Sequence, residues 1–379
     1  MFFPFMMAGM AILPLLGLAY LFTRFRRFRF VRRLSEKRRW LSWVLPSVPL
    51  LIIFAFAFFD LINTVIVVLH LIAFWALFDL TVFLLRKLDH REFKYYWPGG
   101  AAVFLTAAYL GFGWYSAHHV SETHYELTTE KDIGMDTLRI VQLSDSHIGN
   151  TFDGKGFARQ TERIQLTHPD LVVITGDYVD DDTTREDMEI SCAALGNLQT
   201  TYGVYFVFGN HDRGYYSYRD FTGNDLRAEL EKNNVQLLED ETVMIGDQVL
   251  LIGRQDKSTR ERKSASELME GVDPEKYTIF LNHQPNDFDA EAKAGIDLVL
   301  CGHTHGGQIF PVGLIGTATG LDDKSYGLEA RDHTAFIVNS GISCWGLQFK
   351  PAAPSEYVVI DIRQVQPVPP YRPQRTRVP

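Results

Sequence analysis

From Leu41 to Leu85 the chain runs for 45 residues whose only charged or strongly polar side chains are Asp60, Asn63, His70 and Asp79. As one helix this stretch would reach ~68 Å, more than twice the ~30 Å hydrocarbon thickness of a bilayer. It must fold back, and Asp60 to Asn63 is where polar side chains can serve a turn. Met1 to Phe22 is also apolar and long enough to span, and it lacks the leading positive charges of a cleaved signal. A further apolar segment, Gly99 to Ala117, is bordered by Tyr95, Tyr96, Trp97, Trp114 and Tyr115, rings suited to a membrane–water boundary. Residues 1–118 therefore read as an α-helical membrane module of about four spans.

Charge sets the expected orientation. Arg24 to Arg39 holds nine Lys or Arg against one acid, Glu36, and Arg86, Lys87, Arg91 and Lys94 follow the long apolar stretch. Basic loops stay on the cytoplasmic side. The expectation is a multi-pass protein of the inner, cytoplasmic membrane, with the last span carrying the following domain to the extracytoplasmic side. Spans flanking the nine-charge loop favour a topology signal over nucleic-acid binding. Of the chain's 37 basic and 46 acidic side chains the first 118 residues hold 13 and 5, which leaves 24 and 41, a net charge of −17. A nucleic acid needs Lys and Arg along its phosphates, so none is expected as a partner.

The acidic part carries five short blocks: Asp145-Ser146-His147, Gly176-Asp177, Gly209-Asn210-His211-Asp212, Asn282-His283 and Gly302-His303-Thr304-His305. Each follows an apolar run: Leu138 to Leu143, Leu171 to Thr175, Val204 to Phe208, Thr278 to Leu281 and Leu298 to Cys301. Such runs read as buried strands, and ligands just past their ends would converge on one edge of an open α/β sheet. Carboxylate, imidazole and amide donors without thiolate suit Mn, with Zn or Fe also accommodated, rather than a structural zinc knot. Glycines at 176, 209, 302, 306 and 307 permit tight turns and close backbone approach there.

In order and spacing the blocks resemble the calcineurin-like metallophosphoesterase superfamily over roughly Leu138 to Ile362. The last one, Gly-His-Thr-His-Gly-Gly-Gln at Gly302 to Gln308, is similar to that of bacterial membrane-anchored phosphodiesterases. The resemblance implies two divalent metal ions. Asp145, His147 and His305 would bind the first, Asn210, His283 and His303 the second, and Asp177 would bridge them. His211 would donate a proton or stabilise charge at the leaving group, with Asp212 orienting its ring. Asp180, completing Gly-Asp-x-x-Asp, would support a ligand rather than bind metal. Two ions ~3.5–4 Å apart lower the pKa of a shared water, so that hydroxide attacks phosphorus in line.

The implied fold is an α/β sandwich of two mixed sheets flanked by helices over residues 137–362. Helices are expected at Gly156 to Thr167, Arg185 to Leu198, Asn224 to Lys232 and Asp287 to Ala294, with later strands at Val249 to Gly253, Thr334 to Asn339 and Tyr357 to Ile362. Residues 119–136 read as a juxtamembrane tether with an edge strand near His124 to Leu127, and residues 363–379 as a Pro/Arg-rich tail. Cys192, Cys301 and Cys344 sit at no ligand spacing, and Cys301 reads as a small buried residue.

Together these features point to a membrane-anchored phosphodiesterase or pyrophosphatase, with a lipid-linked or cell-envelope phosphate as substrate and the bilayer as partner. An alternative is a UDP-2,3-diacylglucosamine-type pyrophosphate hydrolase of lipid A synthesis, which needs a cytoplasmic active site. Tyr215, Tyr216, Tyr218 and Phe221 could form an apolar wall beside the metals. Gln348 to Glu356 departs from the Arg and Pro-Pro-Glu pattern common in relatives, which loosens any transfer of substrate.

Overall fold

The computed structural model describes residues 16–88, 90, 93–215 and 219–365. The chain divides into two compact units, Met1–Trp114 and Tyr115–Pro379.

In the first unit residues 16–25 are helical, followed by the helices Arg29–Lys37, Leu41–Phe59 and Leu61–Leu88. The fold-back falls at Asp60. Its N–H closes the first long helix on Phe56 O at 2.9 Å, while its carboxylate accepts from the Asn63 N–H at 3.1 Å and side-chain amide at 2.9 Å. One residue thus ends one helix and caps the next. Asp79, an acid in an apolar helix, is paired: Arg24 Nε lies 2.8 Å away and the Tyr96 hydroxyl donates to it at 3.1 Å.

Among the described residues, Leu41–Phe59 and Leu61–Leu88 are long and apolar enough to cross a membrane, which suits membrane association. The helix Pro98–His118 covers the expected last span but does not join them, because its glycines, tyrosines, tryptophan and serine dilute its apolar character. The expected first span, Met1 to Phe22, falls mostly outside the described residues, as does the tail beyond Val365.

The second unit is a sandwich of two six-stranded sheets. The first is ordered β1-β12-β2-β3-β4-β5, with β1 Val120–Thr129, β12 Ser355–Gln364, β2 Thr137–Leu143, β3 Leu171–Thr175, β4 Val204–Val207 and β5 Val235–Leu237. The second is ordered β10-β11-β9-β8-β7-β6, with β10 Gly327–Arg331, β11 Thr334–Val338, β9 Leu298–Cys301, β8 Tyr277–Leu281, β7 Val249–Gly253 and β6 Glu241–Ile245. β2 to β5 run parallel, as do β7, β8 and β9, while β12 pairs antiparallel with β2 and parallel with β1. The segment expected as a tether is therefore mostly the ten-residue edge strand β1. Pairing with β12 satisfies the backbone groups that a tether would leave to water.

Strand periodicity sorts side chains into three apolar layers. Leu138, Ile140, Leu171 and Val173 meet Leu251, Ile279, Leu281 and Leu298 between the sheets. Val141, Leu143, Val172 and Ile174 face outward against Phe157, Met188, Leu195 and Leu226. Those residues come from the helices Gly154–Gln165, Arg185–Gly196 and Gly223–Lys232, whose first turns are capped by Asp153, Thr184 and Thr222. The second sheet packs Phe280, Val299 and Phe336 on Phe288 of the helix Phe288–Lys293. Truncating a fully buried leucine such as Leu281 to alanine costs about 2–5 kcal/mol. Polar side chains also cross the inter-sheet layer: Gln142 of β2 donates to Thr175 Oγ1 at 3.0 Å and to Cys301 O of β9 at 2.9 Å, and Asn339, just past β11, donates to Gln142 O at 3.3 Å.

Candidate metal centre

The candidate ligands sit two or three residues beyond parallel strands: Asp145 after β2, Asp177 after β3, Asn210 after β4, His283 after β8 and His303 after β9. Adjacent parallel strands end at one edge of each sheet, so the turns that follow them are brought together. The backbone turns sharply to aim these side chains. Asp145, His147, Asp177, His303 and His305 all occupy the left-handed region, with φ of 51°, 36°, 53°, 74° and 50°. Non-glycine residues rarely adopt it, and such strain concentrates where surrounding structure imposes it for function. Two glycines let the turns close. A Cβ on Gly209 would lie 2.2 Å from Asp177 Oδ1, and one on Gly302 would lie 2.5 Å from Asp145 Oδ2.

Two donor groups result. In one, His305 Nε2 lies 3.2 Å from His147 Nε2 and 3.5 Å from Asp145 Oδ1. In the other, His283 Nε2 lies 3.1 Å from Asp177 Oδ2, 3.1 Å from Asn210 Oδ1 and 3.3 Å from His303 Nδ1. Asp177 Oδ2 is also 3.8 Å from His147 Nε2, which puts this carboxylate between the groups. The other ring nitrogens of His283, His305 and His147 are engaged in orienting contacts. His283 Nδ1 meets Thr175 O at 2.7 Å, His305 Nδ1 meets Ser343 O at 3.3 Å and His147 Nδ1 meets Asp180 Oδ2 at 3.1 Å. A nitrogen that donates to oxygen leaves the opposite lone pair free for a cation. Hard and borderline donors, fixed tautomers and a shared carboxylate fit two divalent cations.

Residues 138–307 match the calcineurin-like phosphoesterase family. The chain carries a calcineurin-like metallophosphoesterase domain. An uncharacterised metallophosphoesterase of Campylobacter jejuni is 31% identical over 232 residues, 60% of this chain and 59% of that protein. A transmembrane protein with a metallophosphoesterase domain from Bos taurus is 32% identical over 57% of this chain and 51% of its own length. An uncharacterised metallophosphoesterase of Bacillus subtilis is 27% identical over 74% of this chain and 99% of its own. The chain thus spans between half and three-fifths of the first two relatives.

Within the metallophosphoesterase domain one expected role moves to a different residue. Asp212 does not orient the His211 ring. Its carboxylate turns inward and accepts backbone N–H bonds from Gly209, Asp177, Tyr178 and Val179 at 2.7, 2.9, 2.8 and 3.1 Å. It ties the β3 and β4 loops together, because four converging amides outcompete one imidazole. Asp180 orients His211 instead, with Oδ1 2.9 Å from His211 Nδ1. The Gly-Asp-x-x-Asp spacing marked Asp180 as a support, but its second contact was not visible in sequence.

Electrostatics follow burial and these contacts. Burial opposes charge on Asp177, yet the charge and hydrogen bond of His283, then the charge of His147, hold its carboxyl below the usual range. The same happens at Asp180, where hydrogen bonds from His147 and His211 outweigh burial. Burial disfavours the charged His283 ring, but the Asp177 carboxylate beside it raises its pKa to about 10. Burial dominates at His303, lowered to about 4 with the charge of His283 adding to the effect, and at Asp212, raised to about 6 with Asp177 adding to it. At His211 burial is overcome by the Asp180 hydrogen bond and the Asp177 charge, so its pKa is raised. A cation entering this site would displace ring protons.

The surroundings of the ligands complete the site. Asn282, adjacent to His283, points away from the metal groups and donates to Glu291 Oε1 at 2.8 Å. Lys350, fully buried in a loop with no recognisable sequence signal, donates to Ser340 O, to Gly341 O at 2.9 Å and to Ser343 O at 3.1 Å, thereby holding the carbonyl that meets His305. Of the four aromatic residues proposed as a wall, Tyr215 stands at the site: its ring centroid is 4.9 Å from that of His211, and its hydroxyl accepts from Asn210 at 2.7 Å. Phe221 belongs to the core, and Tyr216 and Tyr218 lie outside the described residues. Trp345 also packs beside His211, with centroids 5.4 Å apart. All three cysteines are buried and free, so Cys301 fits as a small core residue.

Proposed function

We propose that this chain is a membrane-anchored, metal-dependent phosphoester hydrolase cleaving a phosphodiester or pyrophosphate bond in a lipid-linked or cell-envelope substrate. The observation that carries the reading is the pair of donor groups with the Asp177 carboxylate lying between them, and His211 held beside them by Asp180. Asp145, His147 and His305 would hold one cation, Asn210, His283 and His303 the other, with Asp177 common to both. Bound ions, manganese by donor type with zinc or iron as alternatives, would supply water activation and charge neutralisation on phosphate oxygens. His211 Nδ1 is taken by Asp180, which leaves Nε2 to deliver a proton to the leaving oxygen. Its raised pKa favours the protonated ring that this role needs. Two apolar helices of spanning length and a relative described as a transmembrane protein with the same domain support anchorage. Anchoring beside a membrane-resident substrate raises its local concentration.

The test is the purified full chain assayed on p-nitrophenyl phosphate, bis(p-nitrophenyl) phosphate and UDP-linked lipids, with manganese, zinc or chelator. We expect diester or pyrophosphate cleavage that chelation abolishes and metal restores. A preparation free of metal by elemental analysis yet fully active overturns the reading.

Orientation depends on Pro98–His118. If that helix crosses the bilayer, the two basic loops put the catalytic domain on the extracytoplasmic side, the arrangement we favour for an envelope phosphate. Its weaker apolar character supports a second reading, a UDP-2,3-diacylglucosamine-type hydrolase on the cytoplasmic face. A reporter fused after Pro379 separates them by the compartment in which it is active.

A further inference from the structure

The loop that supplies His305 continues into an uncharged stretch, Ile309 to Leu321, containing the helix Val312–Thr319. This helix is locked onto the metal loop at two glycines, since a Cβ on Gly307 would lie 2.7 Å from Gly313 Cα. Locked this way, it presents its large side chains to solvent. Phe310, Val312, Leu314, Ile315 and Leu321 are 68%, 58%, 61%, 53% and 67% exposed. The surface extends towards the catalytic cleft. Gln308 donates to Trp345 O at 3.0 Å and accepts from Trp345 N at 3.1 Å, and the half-exposed Trp345 ring flanks His211. Soluble proteins seldom leave so many neighbouring apolar side chains uncovered without an occupant.

We propose that Phe310, Val312, Leu314, Ile315, Leu321 and Trp345 form a membrane-docking rim that seats in the headgroup–acyl boundary of a bilayer beside the catalytic cleft. The absence of charge from Ile309 to Leu321 matches a hydrocarbon edge, and a tryptophan at the cleft side matches the boundary region, where an amphipathic ring is stable. The chain also brings its own bilayer, because Leu41–Phe59 and Leu61–Leu88 are of spanning length and β1 begins at Val120, soon after the second of them. A docked rim gives a lipid-borne phosphate a direct route to the metals without the whole lipid leaving the membrane. The inference rests on the anchorage proposed above and is independent of catalysis.

The buried native cysteines make a labelling test selective. Leu314→Cys and, separately, Ile315→Cys are introduced in the full chain, labelled with a nitrobenzoxadiazole fluorophore and reconstituted in phosphatidylcholine vesicles with or without lipid carrying a nitroxide on the acyl chain. Met244→Cys on β6, at the opposite sheet edge from β10, is the exposed control. Flotation with the vesicles reports anchorage, and unchanged thermal unfolding reports the fold. We expect nitroxide quenching at 314 and 315 to be at least about twofold stronger than at 244. Equal quenching at all three positions overturns docking while leaving anchorage and hydrolysis standing. Blue-shifted emission at 314 without quenching signals a protein partner or a second copy on this face and also overturns it. Failure to float overturns anchorage and docking together.

Discussion

A single carboxylate, that of Asp180, meets His211 Nδ1 at 2.9 Å with one oxygen and His147 Nδ1 at 3.1 Å with the other. The residue proposed to deliver the proton and a residue proposed to hold metal are thus set by one side chain. Asp180→Asn keeps the size but loses the charge that raises His211. We expect kcat on a diester to fall by about 10²-fold and apparent metal affinity by about 10- to 100-fold, read from rate against metal concentration. A variant altered in neither would place Asp180 outside the machinery.

Removing a donor from the shared group has a different signature from removing the proton donor. Asp177→Ala or His283→Ala should abolish turnover and lower bound metal measured by elemental analysis. His211→Ala should lose about 10²- to 10⁴-fold in rate while retaining its metal. Near wild-type turnover in all three would refute the assignments.

The close approach at Gly302 leaves no room for a methyl group, since the added Cβ would sit 2.5 Å from a carboxylate oxygen of Asp145. Gly302→Ala should therefore displace Asp145 and cost most of the metal-dependent activity. The global fold should persist, with circular dichroism unchanged and metal content reduced.

Asp212→Ala tests a structural role. It leaves four backbone N–H groups without their acceptor, each costing about 1–3 kcal/mol when buried. We expect a loss of several kcal/mol and a fall in Tm well beyond that of His211→Ala. Loss of rate with an unaltered Tm would restore Asp212 to a catalytic role.

Glu291 gives a pH dependence away from the metal ligands. Burial raises its carboxyl to about 7 from an unfolded value of 4.5, even though Arg254 and the Asn282 hydrogen bond pull the other way. A raised folded value means that the folded state holds the proton more tightly. Its stabilising contribution is complete below pH 4.5 and is lost as pH rises through about 7, on the order of 3 kcal/mol at most. Glu291→Gln should flatten thermal stability across that window relative to the parent chain.

Much of this architecture was legible in the sequence where one local signal decided it. β3, β7 and β9 fall at the expected boundaries because continuous β-branched or leucine-rich runs end at glycine or a polar ligand. The turn at Asp60 was equally legible, since an apolar run that long needs a polar break. Asp212 was misread because adjacency to His211 in the chain says nothing about where a carboxylate points, and its four amide partners come from two loops over 30 residues apart. Lys350 gave no signal because its partners are carbonyls, which every residue carries. Within the segment 119–136 the expected edge strand near His124 to Leu127 falls inside β1, but its full length was not legible, because β1 alternates exposed residues with half-buried ones and its ends are set by pairing with β12.

Gln142 gives the two-sheet design a measurable consequence. Each proposed ion would draw donors from both layers, so how closely those donors converge depends on how far apart the layers rest, and Gln142 fastens one layer to the other beneath them. Swapping it for methionine would loosen that fastening without touching a ligand. Catalysis would then depend on the thickness of the oily interior, and a change in the middle of the slab would retune the chemistry at its rim.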